Sequence, residues 1–344
     1  MDRFRDAPPP PPGGPPPTGD PGVLVFVVES DSSRVPKAHT PPPPPGFSYH
    51  IAPTLAMRRD EPLPIAIHRI GTGLLDRAVA GLTSEDRDRA VHEACQALEQ
   101  ARALLRLVGP TVGDRVFRFE DHQLVAAIRL VAPARDGYRV LPALDALVDR
   151  FVDRLAPGAF DLLRHQLTDR RLAATDEQVA AALEIVVAAR VRYTRFGVDA
   201  LDDSFSTIEG GLHETYSMGR LRMSDAYRTS TDAAFQTWRT EVSHLRDQSS
   251  MLDPDWATLG LSERLRKLAV SLGEAGDLAA LASDVSEGVL GEDDEERELL
   301  RLLVFGRCRD LYRQLIPVGE RLYGDDPGDF VDRFGAYWRG WRSR

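Results

Sequence analysis

Apolar residues between Ala90 and Val108 recur at steps of three and four: Val91, Ala94, Leu98, Ala101, Leu105 and Val108. That spacing gathers them on one stripe of an α-helix. His92 sits beside the stripe near its start, and Arg102 and Arg106 follow one turn apart. A second stretch, Ala233 to Leu252, aligns with the first without a gap, 144 positions later. His92 then falls on Gln236, Leu98 on Val242, Arg102 on Arg246 and Val108 on Leu252. Downstream, LVAPARDGYRVL around Asp136 is echoed by SLGEAGDLAAL around Asp277, 141 positions later. An offset that stays so nearly constant points to a duplicated helical unit.

The rest of the chain from Leu63 onward carries the same helical period. Pro64 suits a first helical turn, and IAIHRIGTGLLDRAVAGL continues from it. Gly109-Pro110 predicts a stop for the Ala90–Val108 helix. A helix from about Thr111 to Val131 is expected next, then a break at Ala132-Pro133 and a helix from about Tyr138 to Leu155. Pro157-Gly158 interrupts again. The stretch Ala174 to Gly197 opens on the cap Thr175-Asp176-Glu177, and its AAALEIVVAARV is apolar almost all round, which predicts a buried helix. Further helices are expected over Ile208–Tyr227, Ser262–Leu272, Asp277–Val285, Asp293–Tyr323 and from Asp326-Pro327 to the end. No segment alternates as a strand does. The expectation is an all-α fold of two bundles, residues 61–170 and 174–342.

Residues 1–60 differ in kind. Of the 25 prolines, 18 fall in residues 1–64. Runs such as Pro8 to Pro12 and Pro41 to Pro45 favour polyproline II, which has no internal hydrogen bonds and builds no core. A disordered arm or stiff tether is expected there, with Val23 to Val28 as its one sticky element. That apolar run is too short to span a bilayer and lacks the flanks of a secretory signal. The reading is a cytoplasmic protein that does not enter the membrane.

Charge narrows the function classes. The net charge of −10 argues against a general nucleic-acid binder. Lys37 and Lys267 are the only lysines among 43 basic residues, so the positive charge is almost all arginine, whose planar fork suits phosphate. The phosphate loop GxxxxGK[ST], GxGxxG after a strand, HExxH and GxSxG are all absent. Cys95 and Cys308 make neither a metal spacing nor a disulfide framework, and Cys95 reads as a buried thiol. The eight histidines show no ligand spacing, although His92 and Cys95 stand three apart on one helix. Asp136 and Asp277 recur between the copies, with a cap or internal salt bridge as their expected role. No acid, base, nucleophile and metal set assembles, so neither an enzyme nor a cofactor is expected.

Taken in order, VHEACQALEQARALLRLV, RLVAPARD, WRTEVSHLR, LGEAGDLAAL and DFVDRFGAYWRGW resemble the CHAD family, a helical domain named for conserved histidines. The resemblance runs from about Leu63 to Arg342. It implies an all-helical fold of two four-helix bundles related by a pseudo-twofold. It also implies non-catalytic binding of inorganic polyphosphate or another polyanion and association with polyphosphate granules. The CYTH hydrolase strand that often accompanies the family is absent. The two repeat helices of the family typically present a histidine and a row of cations, which gain affinity for polyphosphate through charge-assisted bonds and counterion release. The matching residues here are His92, Arg102, Arg106, Arg129, Arg135, Arg220, Arg222, Arg239 and Arg246. Other basic positions of the pattern hold Cys95, Gln96, Glu99 and Gln100 in the first copy and Thr240, Glu241 and Ser243 in the second. Gln236 and Gly276 stand where histidines are usual. The alternative is therefore a CHAD-like scaffold that has lost polyphosphate and works through protein partners, captured by the proline-rich arm.

Overall fold

Helix α1 (Leu63–Leu82) begins with Pro64 in its first turn and buries Leu63, Ala66, Ile67, Ile70, Leu74, Leu75, Ala78 and Leu82 along one side. The structure is a computed structural model that describes residues 55–85, 87–169, 175–193, 201–252, 260–287, 291 and 293–343. Side chains are described for all of these except residues 87, 88, 133–138 and 169. The proline tracts of residues 8–45 and Val23 to Val28 lie outside the described residues.

The chain continues as α2 (Arg87–Val112), α3 (Asp114–Arg150), a 3-10 turn (Val152–Arg154), α4 (Asp161–Asp169), α5 (Asp176–Tyr193) and α6 (Ser206–Thr229). It ends with α7 (Asp232–Leu252), α8 (Leu261–Ser286), α9 (Asp294–Leu322) and α10 (Pro327–Arg342). The described residues are all-helical, with no strand. No helix among them is long and apolar enough to cross a membrane.

The six stripe residues of α2 are all buried, as the period requires. Several boundaries differ from the sequence expectation, and packing explains them. Helix α3 runs unbroken through Pro133, with Val131 and Val140 buried on either side of the expected break. Helix α8 likewise joins two expected helices across Gly273 and Gly276, anchored by Leu268, Leu272, Leu278 and Leu281. In both, buried apolar side chains beyond the weak point outweigh a local propensity cost of about 1–3 kcal/mol. Helix α2 passes Pro110 and stops only before Gly113, whose φ of 91° lies in the left-handed region glycine tolerates. Helix α5 buries one stripe (Val179, Ala182, Val186, Ala189 and Tyr193), while Val187 and Val191 face outward. The short α4 carried no expectation. Asp293 and Asp326 cap α9 and α10 by accepting from the Glu295 and Gly328 amides.

Helix α2 packs on α1, α3, α6 and α7, and α7 packs on α6, α8 and α2. The two segments that share the sequence pattern are thus in contact. One large apolar cluster is shared by most of these helices. A smaller one joins the C-terminal halves of α3 and α8 to α4 and the first half of α9. Cys95 and Cys308 are both buried as free thiols.

The α2–α6 crossing depends on one residue. A Cβ at Gly211 would lie 2.0 Å from the Leu107 carbonyl oxygen, a backbone atom that a rotamer change cannot move aside. Gly211→Ala is therefore expected to cost at least about 2 kcal/mol in urea unfolding, despite the better helix propensity of alanine. A change within about 0.5 kcal/mol would show that the two backbones are not in contact there.

Candidate functional site

The α2–α7 crossing gathers three of the sequence-predicted arginines. Arg102 and Arg106 come from α2 and Arg246 from α7, and each side chain is only 18–19% exposed. One hydrogen-bond set fixes the crossing: the Gln248 amide donates to the Ala103 carbonyl on α2 at 3.0 Å and reaches Thr215 Oγ1 on α6 at 3.1 Å.

Carboxylates accompany these arginines. Arg102 donates from Nε to Asp121 on α3 at 2.8 Å and from Nη1 to Glu99, one turn back on α2, at 3.0 Å. Burial works against its charge, yet Asp121 and Glu99 outweigh that and hold its pKa above the ordinary arginine value. Arg106 spans the crossing, with Nη2 3.3 Å from Glu241 Oε2 and Nη1 3.3 Å from His244 Nδ1. Arg246 holds the buried Asp247 beside it at 2.7 Å. Arg222 on α6 pairs with Asp225 at 3.5 Å and adds positive field at Glu241.

His244 is 3% exposed and surrounded by like charge. Burial first, then the fields of Arg106, Arg102 and Arg246, depress its pKa to about 3. A neutral ring accepting at Nδ1 from Arg106 fits this, which assigns its proton to Nε2. Burial raises the pKa of Glu241 against the pull of Arg106 and Arg222. Burial likewise raises that of Asp247 against Arg246.

A second cluster lies where α3, α7 and α8 meet. The half-buried Arg139 pairs closely with Asp277, and Arg239 Nη1 stands 4.0 Å from the same carboxylate while donating to Gln236 at 3.3 Å. The salt-bridge role expected of Asp277 is thus present. A Cβ at Gly276 would fall 2.5 Å from Gln236 Oε1 and 2.7 Å from Arg239 Nη1. The two positions at which the family pattern expects histidines are therefore neighbours. The smaller residue at one leaves room for the amide at the other.

The remaining predicted residues separate. His92 is buried, 3.1 Å from the Gln96 amide nitrogen on its own helix. Arg129 is exposed on α3 and has no ion-pair partner among the described residues. Arg220 is exposed and, among the described residues, reaches the Asp325 carbonyl at 3.5 Å. The Arg135 side chain lies outside the described set. Sequence reasoning missed Asp121, Arg139, His244, Asp247 and Gln248. Asp247 stood next to Arg246 in plain view, whereas Asp121 and Arg139 meet their partners through tertiary packing alone. No group of three or more His, Cys, Asp or Glu residues able to hold a metal ion occurs among the described residues.

The family model described as CHAD domain matches residues 72–260. This chain belongs to the CHAD family. The match includes the whole of α2, α3 and α5–α7, and thus every residue of the α2–α7 crossing, while α8–α10 follow it. Neither the curated proteins nor the solved structures include a match. The family is known for binding polyphosphate, and in this chain the arginines of the α2–α7 crossing are paired with carboxylates.

The depressed His244 pKa has a consequence for acid stability. Its folded value lies below the unfolded value near 6.5, so the unfolded chain takes up the proton first. The stability tied to neutral His244 is whole above about pH 6.5 and declines as pH falls toward about 3. Glu241 and Asp247 act in the opposite sense, because protonation relieves their buried charge. Comparison with His244→Gln isolates the histidine. Between about pH 6 and 4.5 the parent is expected to lose stability faster than the variant, by about 1 kcal/mol per pH unit. Parallel pH profiles in urea unfolding would show that His244 is not held neutral.

Proposed function

We propose that this chain is a non-catalytic CHAD-family module whose polyphosphate-facing arginine row is neutralised from within. It serves as an interaction scaffold and has weak affinity for polyphosphate. The observation that carries this reading is the pairing of all three arginines at the α2–α7 seam, and of the nearby Arg222 and Arg239, with carboxylates. Arg102 faces Asp121 and Glu99, Arg106 faces Glu241, and Arg246 faces Asp247. Arg222 faces Asp225, and Arg239 faces Asp277. A polyanion gains by giving up counterions to unpaired cations. At this seam it has to displace protein carboxylates instead, and those sit on rigid helices at high effective concentration. Buried partners such as Glu241 and Asp247 cannot swing into solvent to make way, and stripping the arginine from one leaves an uncompensated buried charge.

A second reading, polyphosphate binding in the manner of the family, is favoured by one observation. Arg102, Arg106 and Arg246 still converge closely enough that all three depress His244. The two readings separate in a salt titration of long-chain polyphosphate against the full chain. The scaffold reading expects a Kd weaker than about 100 μM near physiological salt, with a shallow salt slope. It also expects a gain on neutralising the two accessible carboxylates. Glu99→Gln with Asp121→Asn releases Arg102, tightening binding about tenfold and steepening the log–log slope by about 0.7. Micromolar or tighter binding by the unmodified chain, unchanged by those substitutions, would overturn the scaffold reading in favour of the second.

A further inference from the structure

The outward face of α9 carries two large, strongly exposed apolar side chains among its charged residues, where a solvent-facing helix is ordinarily polar. Leu302 is 60% and Phe305 67% exposed, while Leu300, Val304, Cys308 and Leu311 on the opposite side fill the smaller core cluster. Gly306 lies next to this face, and a Cβ built on it meets nothing within 4 Å. Glycine inside a helix costs about 1 kcal/mol relative to alanine, and no neighbour within the described chain accounts for it. Glycine does allow a second helix to approach closely.

The charges on this face are ordered. Glu298 stands one turn before Leu302, and Arg309 one turn after Phe305, its guanidinium 6.0 Å from the ring centroid. Glu298, Leu302, Phe305 and Arg309 thus follow a 4-3-4 spacing along a single seam. The seam is self-complementary when reversed. A twofold axis passing between residues 303 and 304 sets Leu302 against Phe305 of a second copy and Glu298 against its Arg309. A parallel pairing would set Glu298 against Glu298 and Arg309 against Arg309. Isologous contact about a twofold requires this kind of self-match.

We infer that α9 is the contact face of a homodimer, with the two copies antiparallel about Leu302 and Phe305. This inference is independent of the α2–α7 seam. Glu298 already touches Arg301 at 3.5 Å within its own helix. Exposed pairs of that kind are worth at most about 1 kcal/mol, so Glu298 is available to a partner. The seam from Glu298 to Arg309 extends only about 17 Å, which places the contact in the small, reversible class with a Kd on the order of 10 μM.

The test is sedimentation velocity on the full chain across about 1–200 μM, a range that brackets that constant. The unmodified chain is expected to pass from monomer to dimer, and Phe305→Glu to remain monomeric with unchanged helicity. Glu298→Arg and Arg309→Glu, taken singly, are each expected to weaken the dimer at least tenfold. An equimolar mixture of those two variants is expected to recover it, because each then supplies the charge the other lacks at both ends of the seam. Three results would overturn the inference: a monomer at every concentration, a dimer that survives Phe305→Glu, or a mixture no tighter than its components.

Discussion

Arg106 carries a guanidinium from α2 into the crossing with α7, where Glu241 and His244 receive it. Burying a charge there costs several kcal/mol unless a partner of opposite sign and good geometry stands beside it. Glu241 is that partner, and it is itself too buried to keep its charge without Arg106. His244 accommodates both by remaining neutral and accepting a hydrogen bond. Each of the three groups is therefore tolerable only because of the other two. The crossing that unites the two similar helices of the chain is built on a mutually dependent polar set surrounded by apolar residues.

This constraint bears directly on function. A cationic row gains most from a polyanion when its charges lack fixed partners in the unbound protein. Here Asp121 of α3 meets Arg102, Asp277 of α8 meets Arg139, and Asp225 meets Arg222 within α6. The CHAD family match covers α2 to α7, and within it Arg102, Arg106 and Arg246 are each paired with a carboxylate of the protein itself. The exposed Leu302 and Phe305 lie on a different helix, α9, after the residues that the family match covers.

The fold class and the buried stripe of α2 were legible in the sequence because the 3.6-residue period reports directly on which side faces a core. The capped starts of α9 and α10 were legible for a local reason too, since a cap and its target amide are two residues apart. The breaks expected at Pro133 and between Leu272 and Asp277 did not occur. Local propensity speaks only to the cost of continuing a helix, and the packing that offsets it comes from residues distant in sequence. The arginines of the candidate site were legible as residue types at a given spacing, but their partners were not. Nothing within a few positions of Arg102 announces Asp121, and nothing near Asp277 announces Arg139. Those pairs exist only once α3 lies against α2 and α8. Glu99 and Glu241 could be read as lost cations, but not as the groups that neutralise the cations that remain.

Whether Arg106 is committed to Glu241 inside the protein is read from their energetic coupling. A double-mutant cycle measures that coupling directly. It uses urea unfolding of the parent chain, Arg106→Met, Glu241→Gln and the double variant at pH 7. Each single change strands a charge or a donor, whereas the double change removes both. A favourable coupling of at least about 1 kcal/mol is expected, with the double variant less destabilised than the sum of the singles. Strict additivity, to within about 0.3 kcal/mol, would mean that Arg106 is not committed to Glu241 and remains available to an external anion.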